Sequence, residues 1–170
     1  IAYTSGTVDL QSVLNAVQNP VGVFYPLQSF SVERALNLTE VPFLIEAKEE
    51  QFGAELFALA LTLSSKVNYC SSLKRKHYHV AAVMVNNFTN HLYFLGKNHL
   101  EENELQFDLL YPLINETILK AKDLGPYNAQ TGPARRKDLQ TIQEHLNLLD
   151  EPTKEIYKTL SDNILKTYPK

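Results

Sequence analysis

Apolar residues from position 72 to about position 100 recur at helical spacing, with no proline and no glycine before Gly96. The pattern predicts one helix of roughly 28 residues, on the order of 42 Å long at about 1.5 Å per residue. Wound at about 100° per residue, Leu73, His77, Ala81, Met84, Val85, Phe88, Leu92 and Leu95 gather on one side, and Ser72, Arg75, Lys76, His79, Asn86, Asn90 and Lys97 on the other. One face calls for a core or a second subunit. The other is polar but not uniformly charged, with His79, Asn86 and Asn90 at its centre and Asn87 on its flank, about 80° around from His79.

Before this helix, short β-branched or aromatic runs at 1–3, 21–25, 41–45 and 66–69 have strand length and are bounded by Gly, Pro, Asn or Ser. Two helical stretches lie between them. One covers 8–17 with Thr7 or Asp9 as cap, and the other covers 49–63 with Phe52, Leu56, Leu59, Ala60 and Leu63 in register. Alternating strands and helices predict an α/β layer, the later half of a doubly wound sheet. After Cys70 the strand signals stop. Helical segments are predicted at 107–124, with Pro112 breaking or starting the helix and Gly125-Pro126 ending it, at 131–149 in two pieces meeting near Asp138, and at 152–168. The fold class read from the pattern is an α/β remnant of a Rossmann-like sheet at 1–70 followed by an all-α domain with one long central helix at 71–170.

Composition narrows the choices. At 170 residues and 44% hydrophobic content the chain has the make-up of an ordinary globular protein. A formal charge of −3, with basic clusters of only three residues at 74–76 and 135–137, offers no footprint for nucleic acid. The longest apolar run, around 56–63, is far short of the roughly 20 residues of a membrane span. Cys70 is the only cysteine, which excludes an internal disulfide and makes a reducing cytoplasm the expected compartment. Sequons at Asn37, Asn87 and Asn115 carry little weight in that setting, and Asn87 lies inside the long helix. The start at Ile1, leading straight into Thr4-Ser5-Gly6, reads as a strand end and a turn, as in a chain cut from a longer one.

Several chemistries lose support at this point. Glycines at 6, 22, 53, 96, 125 and 132 fit neither a dinucleotide fingerprint nor a P-loop. His77 and His79 lie about 200° apart on a helix, and no spacing among the histidines and carboxylates matches a metal site. Cys70 ends an apolar strand and reads as a small buried hydrophobe. Three stretches remain. In Tyr25-Pro26-Leu27-Gln28-Ser29-Phe30 a strand ends at a proline, either as a plain loop or as a ligand-facing carboxyl end of an α/β sheet. His79 with Asn86, Asn87 and Asn90 forms either a solvated helix face or a polar strip. Thr131-Gly132-Pro133-Ala134-Arg135 is either a simple helix start or an anion or carbonyl site, with Thr131 as cap, Gly132 permitting close approach and Arg135 or Arg136 adding charge.

Together these stretches resemble a known family. The matching residues are Thr4-Ser5-Gly6, Pro26-Leu27-Gln28-Ser29-Phe30-Ser31, Ile45-Glu46, His79, Ala81, Ala82, Val83, Asn87 and Phe88, and Thr131-Gly132-Pro133 with Arg136, Asp138, His145 and Leu146. They resemble the Rossmann-like NAD(P)-dependent oxidoreductases related to deazaflavin-dependent NADP oxidoreductase and pyrroline-carboxylate reductase, with a helical C-terminal domain of the 6-phosphogluconate dehydrogenase type. The resemblance implies a Gly-rich dinucleotide-binding half before Ile1, a homodimer formed through the long helices, and a cleft between the sheet's carboxyl edge and the helical half. It implies that Thr4, Ser5 and Gln28 lie near the nicotinamide of NADP or NAD, and that His79, Asn87, Thr131, Gly132 and Arg135 face a small carbonyl or imine substrate. Tyr3 and Tyr25 depart from the pattern, since many relatives carry His there; a tyrosine hydroxyl still orients or donates. His79 or Tyr25 is then the expected proton donor. The alternative is a non-catalytic dimerisation or ligand-binding module.

Overall fold

The computed structural model describes residues 1–168. It divides into two compact units, Ile1–Asn90 and His91–Lys170. The strand signals end at residue 70 as expected, but the first part of the long helix packs with the sheet, so the units divide inside the helix rather than at its start.

The first unit is built on a four-stranded sheet in the order β1 (Ala2–Tyr3), β2 (Gly22–Pro26), β3 (Phe43–Ala47), β4 (Val67–Tyr69). The outer pairs are parallel, whereas β2 and β3 run antiparallel with Tyr25 opposite Leu44 and Pro26 opposite Phe43. The expected doubly wound sheet is therefore mixed. The cause lies in the connection between β2 and β3, which carries only a 3₁₀ turn at Leu38–Glu40 and no crossover helix, so the chain returns beside itself in the opposite direction. Alternation along β2 and β3 divides the apolar side chains between two faces. Val21 and Val23 pack with Leu10 of α1 (Leu10–Leu14) on one, and Phe43 and Ile45 with Leu56 and Ala60 of α2 (Glu50–Leu61) on the other.

The predicted long helix is α3 (Ser72–Ala82), a π-helical segment (Val83–Phe88) and α4 (Thr89–Glu102) in unbroken succession. Its faces differ from those expected in two respects. Arg75, assigned to the polar side, is completely buried, while Met84, Val85 and Phe88 of the apolar stripe are more than half exposed. In the second unit a 3₁₀ turn (Phe107–Leu110) leads into α5 (Tyr111–Leu124), with Pro112 in its first turn as a starter rather than a breaker. Short helices α6 (Pro126–Ala129) and α7 (Pro133–Arg136) follow, then α8 (Leu139–Asn147) and α9 (Thr153–Thr167). The break near Asp138 is where expected: Lys137 turns left-handed, and the Asp138 carboxylate accepts from the Thr141 backbone N–H at 3.0 Å and its hydroxyl at 2.7 Å. Leu95, Ala134, Ile142 and Tyr168 are the buried apolar residues of this unit. Among the described residues no helix is long and apolar enough to cross a membrane.

Candidate active site

Because β1 and β2 are parallel, their carboxyl ends emerge side by side, Thr4-Ser5-Gly6 from one and Leu27-Gln28-Ser29 from the other. The Ser5 hydroxyl oxygen accepts from the backbone N–H groups of Thr7 and Val8 at 3.3 and 3.1 Å, folding the first loop toward α1. Helix α3 then grips that loop along its length. Ser72 Oγ accepts from the Leu10 N–H at 3.0 Å, Arg75 donates to the Val8 carbonyl, and Lys76 Nζ lies 3.1 Å from Asp9 Oδ2.

What anchors α3 is Glu46 of β3. Its carboxylate accepts from the Ser72 backbone N–H and hydroxyl, both at 2.8 Å, and pairs with the buried Arg75 guanidinium. An uncompensated cation at this depth is unfavourable by several kcal/mol, so Glu46 makes the burial of Arg75 possible. One helical turn beyond Arg75 stands His79, and its Nδ1 comes within 3.3 Å of the Tyr25 phenol oxygen, the two rings meeting edge to face. Gly6 closes the third side. A Cβ there would sit 2.6 Å from His79 Nδ1 and 3.0 Å from the Tyr25 ring carbon that carries the hydroxyl, so only glycine lets the three segments meet. Burial pushes the Tyr25 phenol above its ordinary pKa, with the Arg75 cation opposing in part.

Tyr25 and His79 stand at one wall of a cavity of about 490 Å³, which Gln28, Ser29, Asn86 and Asn87 also line. The site residues expected from sequence thus fall into separate groups. His79, Tyr25, Asn87 and Gln28 share this cavity. Thr4 and Ser5 are on the adjoining loop without lining it, Thr4 exposed and the Ser5 oxygen engaged in its turn. Gln28 Oε1 accepts from the Ser29 N–H at 2.8 Å, leaving its amide NH₂ free. Thr131 and Gly132 belong to the second unit, where they line a different and strongly apolar cavity of about 590 Å³. Thr131 makes no cap there: Gly132 is the N-cap residue, without a side-chain bond, and α7 is only four residues long. Nor does Gly132 serve a close approach, since open space surrounds the position; glycine is required by its φ of +99°. The Arg135 guanidinium lies over the Tyr168 ring at 4.8 Å rather than lining the cavity.

The π segment accounts for Asn87. Bonding from i to i+5 winds more slowly than an α-helix, so the segment carries Asn87 from the flank back toward the side of His79, and both Asn86 and Asn87 line the cavity. Sequence reasoning missed Arg75 as a buried group; the only signal was Glu46, an acid on an otherwise apolar strand. It also missed a second His–Tyr pair, His145 Nδ1 to Tyr157 oxygen at 2.8 Å, on the wall of the apolar cavity. Cys70 is buried with its thiol pushed up by burial, as an inert small hydrophobe should be.

Residues 41–164 match the family described as Domain of unknown function (DUF2520). The chain superposes with a TM-score of 0.93 and 41% identity on the proposed NADP oxidoreductase BF3122 from Bacteroides fragilis, covering 97% of this chain and 64% of that one. Protein TM1727 from Thermotoga maritima shares the fold at a TM-score of 0.73 and 22% identity, over 98% of this chain and 68% of its own. No curated protein matches the sequence. The chain accordingly spans a little under two thirds of BF3122. The Rossmann-like resemblance read from the sequence holds, and the chain belongs to the family of the Domain of unknown function (DUF2520).

Proposed function

We propose that this chain carries the proton-delivering part of an NADP-dependent (or NAD-dependent) oxidoreductase acting on a small carbonyl or imine. The observation that carries the reading is the Tyr25–His79 contact at the carboxyl ends of two parallel strands, where open α/β sheets place their ligands. The likeness to BF3122 supports the cofactor class.

The cavity walls fit the nicotinamide end of such a cofactor. Gln28 offers an amide group of the kind that pairs with a carboxamide, and Gly6 keeps the Thr4-Ser5 loop close to the cavity. The six glycines make no phosphate-binding turn, so we assign the pyrophosphate to sequence beyond these 170 residues. NADPH, when bound, supplies the hydride. Reduction of a C=O or C=N bond also consumes one proton, and Tyr25 Oη is its donor in our reading. With Nδ1 protonated, His79 donates to the phenol oxygen, which frees the Tyr25 O–H to point into the cavity; after transfer it passes that proton to the phenolate as its Nε2 takes one from water. Asn87 orients the substrate's polar group and supports developing charge. Thr131, Gly132 and Arg135 belong to the second unit, and this reading gives them no step in the chemistry.

We further assign a homodimer formed through the second unit, supported by its many exposed apolar side chains, and retain the cytoplasm as its compartment on the single cysteine. A purely non-catalytic dimerisation module gains support from the same side chains but leaves the Tyr25–His79–Gly6 convergence without a purpose. The test is NADPH titration and NADPH oxidation by the full-length protein across a panel of small carbonyls and imines. Tyr25→Phe should lower turnover roughly 10²-fold or more while NADPH affinity stays within about 3-fold. Unchanged turnover on a substrate of the wild type would overturn the assignment.

A further inference from the structure

Strand register gathers a polar group beneath α3. Tyr3 of β1, Val23 of β2 and Glu46 of β3 are paired in one row across the sheet, so their side chains share a face. Tyr25 shares that face two positions further along β2, about 7 Å on. Arg75 meets the same face, donating to Glu46, the Val8 carbonyl and the Ser72 hydroxyl. Four residues later α3 presents His79 to Tyr25. The titratable groups around the Tyr25 phenol are thus His79 and Arg75 from α3, Tyr3 from β1 and Glu46 from β3; Asp9, on the loop after β1, is paired with Lys76.

As an anchor alone, Arg75 is a poor choice. It is completely buried, one carboxylate balances it, and its Nε makes no hydrogen bond among the described residues. A buried ion pair is commonly no more stabilising than a well-packed apolar pair, and an unpaired buried N–H subtracts further. The cation therefore calls for a use besides anchoring. On the same face, the group whose charge changes during the proposed reaction is Tyr25. When its proton leaves, a phenolate forms in a half-buried place where water stabilises it poorly. The surrounding charges act unequally on the two tyrosines. At Tyr3, burial raises the phenol and Arg75 lowers it, with Glu46 and Asp9 raising it again. At Tyr25, burial raises the phenol and Arg75 is the charge that opposes it.

We infer that Arg75 is a positioning residue of the proton-delivery step, its buried cation stabilising the Tyr25 phenolate while its bonds to Glu46 and Val8 hold α3 and the Gly6 loop against that phenol. Glu46 then keeps the cation in place, and the Ser72 hydroxyl links the two. The inference rests on Tyr25 as proton donor and names what strengthens that acid.

The test uses the full-length protein and the variant in which cation and counter-ion leave together, Glu46→Leu with Arg75→Met. Its phenolate difference spectrum against the same variant carrying Tyr25→Phe reads the ionisation of Tyr25 alone. The midpoint should rise by about one pH unit relative to wild type, and the alkaline limb of NADPH oxidation should move with it. Turnover should fall about 3- to 10-fold, since one unit of acid strength is worth at most about a factor of ten in the transfer. In a Tyr25→Phe background the same two substitutions should lower turnover by less than about 2-fold. Arg75→Lys, which keeps the charge and loses the planar fork, should hold the midpoint nearer to that of wild type than to that of the charge-free variant. If Glu46→Leu with Arg75→Met fails to fold, Glu46→Gln with Arg75→Gln, which removes the same charges and keeps amide groups toward Ser72 and Val8, is read in the same way. A Tyr25 midpoint that stays in place, or a loss of turnover equal with and without Tyr25, overturns the inference and leaves Tyr25 as donor. Wild-type turnover in Tyr25→Phe overturns the donor and the inference together.

Discussion

Tyr25 and His79 are 54 positions apart in sequence and meet with 3.3 Å between the phenol oxygen and Nδ1. The contact depends on three separate devices: parallel β1 and β2, the hold of α3 on Glu46, and a glycine at position 6. Each can be removed singly, and the consequences differ.

Gly6→Ala places a methyl where His79 Nδ1 would be 2.6 Å away. Either the histidine ring turns or the loop lifts, and in both cases the Tyr25 contact is lost. Overpacking of this kind costs about 1–3 kcal/mol, so the variant should fold, with a lower denaturant midpoint and turnover reduced at least about tenfold. Equilibrium unfolding read beside steady-state kinetics checks both parts.

Arg75→Met leaves the Glu46 carboxylate without its cation and should destabilise by about 3–5 kcal/mol. Replacing both, as Glu46→Leu with Arg75→Met, should recover much of that loss, because two well-packed apolar side chains avoid the cost of burying a charge. Urea midpoints of the two single variants and the double variant form the cycle that measures it.

Acid stability should carry the mark of Asp138. Hydrogen bonds from the Thr141 hydroxyl and backbone N–H hold its carboxyl below the usual aspartate range near 3.8. A depressed folded-state pKa contributes stability above the unfolded value and loses it as pH falls through the folded one. Wild type should therefore melt above Asp138→Ala at neutral pH, with the gap closing below about pH 3.8. A constant gap across that range would refute the cap as the cause.

Alkaline titration examines Tyr25 in the opposite direction. Its phenol is raised by burial, so the fold is favoured below the ordinary tyrosine value and loses that contribution as pH climbs through the raised one. The phenolate difference spectrum of wild type minus Tyr25→Phe should show one tyrosine ionising later than a free tyrosine.

Much of this arrangement is visible in the chain before it folds. Strand-length runs bounded by Gly, Pro, Asn or Ser mark all four strands, Asp9 and Asp138 mark helix starts, and helical spacing brings out His79 as a polar group on a long helix. The remainder depends on facts that no local pattern carries. Arg75 reads as surface because its partner Glu46 lies 29 positions upstream on a strand. The π segment has no composition of its own, yet it changes which side Asn87 faces. Strand direction was hidden in an irregular loop between β2 and β3. Met84, Val85 and Phe88 have the periodicity of a core whether the buried partner is the same chain or another. Thr131 has the residue type of a cap, but Gly132 occupies the capping position instead.

The most direct measurement of the central claim is the pH dependence of NADPH oxidation by the full-length protein, for wild type, Tyr25→Phe and His79→Gln, alongside NADPH binding. Proton delivery through Tyr25 and His79 predicts that both variants bind NADPH as wild type does. It also predicts that both lose roughly 10²-fold in turnover, and that the wild-type profile falls on the alkaline side as Tyr25 loses its proton, a limb missing from Tyr25→Phe. Variants that keep wild-type turnover and the same alkaline limb would contradict it.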